Sequence, residues 1–109
     1  MVVTVAWLGC KRGEASPDLA QSGRAIFAST CARCHGAHGG GGVAPAPGQP
    51  APRDLRDPTF QASRTDEPLR AVVSGGKGAA MPSFAAVLGD KELRALVAFL
   101  RTLDPKRPL

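Results

Sequence analysis

Cys31-Ala32-Arg33-Cys34-His35 is a Cys-x-x-Cys-His run, the spacing at which a polypeptide bonds a haem through two sulfurs and offers an imidazole to its iron. On a helical turn, positions i, i+3 and i+4 share a face, so Cys31, Cys34 and His35 address one flat ligand together. In this reading each cysteine becomes a thioether, His35 is the proximal axial ligand, and one haem c is held covalently through Cys31 and Cys34. Zinc sites and dithiol oxidoreductases also use Cys-x-x-Cys pairs. A structural zinc site wants four ligands, whereas the only others nearby are His35 and His38, crowded onto the same turn. A dithiol enzyme wants its pair beside a strand of a βαβ unit, and the surroundings here read as helical, looped and proline-rich.

Composition agrees with a bound apolar group. The 109 residues make one domain, with aromatic content of 5%, no Tyr, 13 Gly and 10 Pro. Side chains alone give such a chain a thin core, which a buried porphyrin thickens. The formal charge is +5, from 14 Lys and Arg against 9 Asp and Glu, and the basic residues are scattered. Without a basic run or interleaved aromatics, nucleic-acid binding is excluded. A modest positive balance suits docking onto redox proteins with acidic surfaces.

Residues 1–15 read as the remnant of an export or lipoprotein signal with a short tether, and residues 16–109 as the folded domain. Val2 to Leu8 is an apolar run followed by Gly9-Cys10 and Lys11-Arg12. It is far shorter than the about 20 residues needed to cross a bilayer. Leu8-Gly9-Cys10 resembles a bacterial lipobox, with Trp7 where that motif usually has Leu, which implies a lipid anchor at Cys10. The alternative is an ordinary signal with an incidental cysteine. Either route leads to the periplasm or to a membrane-anchored position facing it, which is also where bacteria attach haem covalently.

Along the domain, Ser16-Pro17-Asp18 predicts a helix start with Ser16 as N-cap. Leu19, Gly23, Ile26 and Phe27 form one stripe to about Ser29, and Gly23 calls for a closely approaching partner helix. Gly36 to Pro52 reads as a surface loop wrapping one haem edge, with His38 as a surface residue. A turn follows over Arg53–Pro58, with Leu55 and Phe60 pointing inward. Thr65 or Asp66 is expected to cap a helix bearing Leu69, Val72 and Val73, stopped by Gly75-Gly76. The next loop delivers Met81-Pro82-Ser83-Phe84. Asp90 is expected to cap a last helix in which Leu93, Leu96, Val97 and Leu100 keep helical spacing, widened by Phe99 and Leu103. Lys91, Glu92, Arg94 and Arg101 fall on its wet side, and Asp104-Pro105 ends it.

An early haem motif, a methionine loop and an amphipathic last helix, in this order, resemble the small bacterial class I cytochromes c from Asp18 to Leu103. The resemblance implies an all-α cytochrome c fold, with three to four helices around one covalently bound haem and the first and last helices crossing. Gly23 and Phe27 would then meet Leu96 and Phe99. It also implies Met81 as the sixth ligand, Met81-Pro82 matching the family's Met-Pro pair, with Lys77 the nearest competing donor. In the family a Pro carbonyl accepts the second N–H of the proximal histidine. Pro52 is the candidate here, competing with Pro45, Pro47 and Pro50, and Leu55 follows it on the cofactor side. Arg53 and Arg56 are candidate propionate partners.

With His35 and Met81 both on iron no position is open, so the expected function is electron transfer between redox proteins, not enzymatic turnover. Two alternatives stand beside it. One is a peroxidase-like or gas-binding haem protein with a labile or vacant sixth site. The other is the electron-entry subunit of a larger oxidoreductase complex.

Overall fold

A computed structural model describes residues 17–107, except 43, 45 and 79. The Ser16 cap, the signal-like stretch with Cys10, and Pro45 lie outside the described residues. Five helical segments occur among the described residues: α1 (Pro17–Thr30), α2 (Ala32–His35), α3 (Pro58–Ser63), α4 (Asp66–Gly75) and α5 (Asp90–Thr102). No strand forms among them, Lys77 and Met81 pairing only as an isolated bridge. The all-α expectation holds.

Pro17 opens α1, where its missing N–H costs nothing, and Asp18 puts negative charge in the first turn. Of the expected stripe, Gly23 and Phe27 are buried and face α5, the principal partner of α1. A Cβ on Gly23 would fall inside the backbone carbonyl of Ala95, with the Phe99 Cβ at 2.9 Å. Only a glycine lets the two backbones approach this closely. Below it the rings of Phe27 and Phe99 sit 5.2 Å apart at an interplanar angle of 50°, within the tilted range that aromatic pairs favour. The predicted crossing is present, with Ala95 as a contact the sequence did not single out. Leu96 lies in the same core, with no exposed surface.

Three details differ from expectation. The segment after Asp57 is a helix and not only a turn: the Asp57 carboxylate accepts from the Thr59 N–H at 2.9 Å and Pro58 takes the first helical position. Asp90 is the first residue of α5, not its cap; Gly89 is the N-cap and makes no side-chain cap bond. Asp90 instead pairs with Arg94 one turn on, leaving its carboxylate 4.0 Å from Arg70.

The largest correction concerns Arg101, which helical periodicity placed on the wet face of α5. It is 7% exposed, because Asp66, Gln61 and the Arg64 carbonyl supply the acceptors a buried guanidinium requires. Gln61 itself is 5% exposed. Together they tie α3 and α4 to α5.

Candidate haem-attachment site

The motif continues α1. The Cys31 N–H donates to the Phe27 carbonyl at 2.9 Å, so the residue that packs the helix crossing also carries the chain into the motif. The Cys34 and His35 N–H groups both donate to the Cys31 carbonyl, at 3.2 and 2.9 Å. This closed turn holds Cys31, Cys34 and His35 at helical spacing, all three half-buried, while Arg33 between them is exposed. Neither Cys31 nor Cys34 is in a disulfide. Cys31 packs against the apolar cluster, and burial, reinforced by Cys34, pushes its thiol up from the usual 9.0 to about 11. Before any bond to carbon the Cys31 sulfur is therefore protonated at neutral pH.

The Nδ1 of His35 lies 3.2 Å from the carbonyl oxygen of Arg53. A carbonyl only accepts, so Nδ1 carries the hydrogen, and in the neutral ring Nε2 keeps its lone pair for a metal. Sequence reasoning favoured the Pro52 carbonyl, and the structure moves the contact one residue along. The Pro52 oxygen is turned toward Gly41, where a Cβ would stand 2.7 Å from it. Gly41 has φ 81°, and its N–H donates to the His35 carbonyl at 2.7 Å. The Leu55 N–H in turn donates to the Gly39 carbonyl at 2.8 Å. The glycine-rich loop thus folds back on the motif and presents Arg53, not Pro52, to the ring. Pro52 remains half-buried beside it, and His38 is exposed as expected.

Met81 is half-buried on a strap laid over the end of α4. The Lys77 N–H donates to the Met81 carbonyl at 2.8 Å, the Phe84 N–H to Val73 at 3.1 Å, and the Ser83 hydroxyl to the Ser74 carbonyl. Gly76, at φ 76°, lets the strap close: a Cβ there would lie 2.7 Å from the Ser83 nitrogen and 2.8 Å from the Met81 oxygen. Met81 and Cys31 pack against the same apolar cluster, which contains Leu55 together with Phe27, Val73, Leu88, Leu96 and Leu100. Three predicted site residues, Cys31, Leu55 and Met81, therefore belong to or pack against one apolar cluster. Lys77, the competing donor, is exposed.

The donor set fits haem c: two sulfurs and an imidazole with a free Nε2 on one turn, and a thioether and aliphatic side chains on a shared cluster. It does not fit zinc, since among the described residues no three His, Cys, Asp or Glu side chains are grouped to hold a metal ion. Arg53 lays its guanidinium over the Phe60 ring, 4.5 Å from the centroid, with Arg64 at 5.2 Å. No described helix is long and apolar enough to cross a membrane.

Known proteins place this arrangement. Residues 18–100 match the family described as cytochrome c oxidase, cbb3-type, subunit III. The chain is 30% identical over 102 residues to the cbb3-type cytochrome c oxidase subunit FixPc of Rhizobium leguminosarum bv. viciae, and 32% identical over 102 residues to subunit FixP of Rhizobium etli. Each alignment covers 94% of this chain but 33% of the relative, so the chain spans about a third of their length. Among solved structures, the KustC0563 c-type cytochrome superposes with a TM-score of 0.63 at 26% identity, over 75% of this chain and 96% of its own. Cytochrome cL of Methylophaga aminisulfidivorans gives a TM-score of 0.69 at 22% identity, over 85% of this chain and 61% of its own, a likeness of fold. The chain belongs to the cbb3-type cytochrome c oxidase subunit III family, a family of c-type cytochromes, and its cofactor is covalently attached haem c.

Proposed function

We propose that this protein carries single electrons between redox proteins outside the cytoplasm, with Cys31 and Cys34 as the thioether attachment points and His35 and Met81 as the axial ligands. The bound haem supplies a reversible one-electron change at iron. The residues set how easily that change occurs. A thioether from Met81 favours the reduced state, and an apolar cluster around the site disfavours the extra positive charge of the oxidised one. The Nδ1–H of His35, donated to Arg53, holds the ring in one orientation and one tautomer.

The observation that carries this reading is the His35 contact: its hydrogen bond at 3.2 Å frees Nε2 on the same turn that presents both cysteines. Met81 is the donor proposed from the opposite loop because its strap is hydrogen-bonded in place and rests on the cluster that Cys31 touches. Met81→Ala tests the ligation. The haem should stay attached, the weak sulfur-to-iron band in the red should vanish, and the potential should fall. An unchanged spectrum removes Met81 from the site.

The FixP relatives favour a more specific placement, in which this domain delivers electrons within a cbb3-type oxidase complex. Co-purification with oxidase subunits at stoichiometric yield supports it, and a haem protein recovered alone from gently solubilised membranes argues for a free carrier. An extracytoplasmic location, with a lipid anchor at Cys10 as one means of attachment, follows from the site of covalent haem attachment and from the Leu8-Gly9-Cys10 stretch.

A further inference from the structure

Gln61 and Arg101 have no part in the site as described, yet they are the buried polar and charged residues of the described chain, at 5% and 7% exposure. Burying a guanidinium is costly, and a well-packed apolar residue often serves stability as well. Here every part of the pair is committed. Arg101 donates through Nε to Asp66 at 2.8 Å, through Nη1 to both the backbone and side-chain oxygens of Gln61 at 2.9 Å, and through Nη2 to the Arg64 carbonyl. The Gln61 amide nitrogen then donates to the carbonyls of Leu55 at 2.7 Å and Leu100 at 2.9 Å.

Leu55 is the junction. Its carbonyl is held by Gln61, and its N–H is held by Gly39 of the loop that follows the motif. Two residues earlier, the Arg53 carbonyl receives the His35 Nδ1–H. Planar peptide units leave few torsions between those two carbonyls, so pinning Leu55 on both sides limits where the Arg53 oxygen can point. Gly41 against Pro52 closes the other end of the segment.

We propose that Gln61 and Arg101 are positioning residues for the His35 imidazole, acting through the backbone of residues 53–55. The proposal rests on the reading of His35 as the proximal ligand. It assigns the network a redox role in addition to its packing role: a firmly placed acceptor keeps the imidazole a strong donor and so holds the potential down.

The test uses the haem-loaded protein and compares Gln61→Leu and Arg101→Lys with Leu69→Ala, a buried aliphatic of α4 whose side chain makes none of these hydrogen bonds. Solvent exchange of the His35 Nδ1–H is followed by NMR, the midpoint potential by titration, and unfolding stability alongside both. In the two network variants exchange should quicken by up to about tenfold relative to Leu69→Ala at matched stability, the weight of one lost hydrogen bond at the strong end of its range. Their potentials should move upward, while Leu69→Ala changes stability alone. Arg101→Lys keeps the charge and serves if Gln61→Leu does not fold. Exchange and potential that merely follow stability across all three variants would overturn the proposal. The iron-shifted His35 ring resonances of the wild type are read first. Their absence removes the ligand reading and this proposal together, whereas their presence with unperturbed variants removes this proposal alone.

Discussion

Gly76→Ala is expected to dislodge the Met81 strap. Two costs combine at that position. Gly76 has φ 76° and ψ 177°, a glycine-only region that costs an L-residue with a Cβ about 1–3 kcal/mol. The new Cβ would also stand 2.7 Å from the Ser83 nitrogen, 2.8 Å from the Met81 oxygen and 2.8 Å from the Pro82 carbonyl carbon. Non-bonded carbon contacts begin near about 3.5 Å, so the strap must retreat by roughly 0.7 Å. All three atoms are backbone, so no flexible side chain can yield in their place. Forced overpacking of this kind costs about 1–3 kcal/mol, giving about 2–6 kcal/mol in total. That strain is relieved by lifting residues 81–83, which breaks the Lys77 to Met81 bond and withdraws the proposed sixth ligand. Gly78→Ala is the matched comparison: φ is 64° there too, but nothing lies within 4 Å of the added Cβ, so only the conformational cost remains. The assay is the red sulfur-to-iron band of the oxidised protein, read together with the denaturation midpoint. Gly76→Ala should lose most of the band and Gly78→Ala should keep it. A Gly76→Ala protein with both the band and the midpoint of Gly78→Ala would refute the reasoning.

Gly23→Ala should destabilise the domain by about 2 kcal/mol, because overpacking against the Ala95 carbonyl at the strong end of its range, about 3 kcal/mol, exceeds the about 1 kcal/mol gained in helix propensity; equilibrium unfolding in denaturant measures it. Gly75→Ala, at a helical glycine with open space around it, should be neutral or slightly stabilising in the same assay. Cys31→Ser with Cys34→Ser should yield protein from which acidified acetone strips any haem, checked by absorbance of the extracted polypeptide. In chain that has not received haem, Cys31 alkylation should titrate near pH 11 and not at the ordinary 9.0. The folded thiol binds its proton more tightly than the unfolded one, so the associated stability is complete below pH 9.0 and is lost as pH rises toward 11. An alkylation midpoint at 9.0 would mean that the packing around Cys31 depends on the haem.

Local signals carried most of the fold. Pro17 with Asp18, the Thr65 and Asp66 start, and the spacing of Leu93, Leu96, Val97 and Leu100 each mark a helix within one or two turns of chain, and α1, α4 and α5 run where those marks place them. Gly23 announced a close crossing because a glycine inside a helix needs a steric reason. What escaped was decided at long range or by a single residue of register. Asp57-Pro58 is a cap and first-position pair, but six helical residues carry too little periodicity to distinguish a helix from a turn. Arg101 follows Leu100 in the chain, about 100° further round the helix, and looks solvated until acceptors from three other segments converge on it. The choice of Arg53 over Pro52 hangs on Gly41 meeting the Pro52 oxygen, a contact no spacing rule encodes.

The meeting of Gly23 with Ala95 fastens together points roughly seventy positions apart, so everything between them behaves as one closed ring of chain. The entropic cost of closing such a ring rises only with the logarithm of its length, about 0.6 kcal/mol for each doubling. Insertions in the stretch between the motif and α3, around residues 46–50, are therefore cheap for the fold as a whole, while a single methyl at the clasp is not. Across descendants of this sequence, length should vary in that stretch and the clasp should stay glycine.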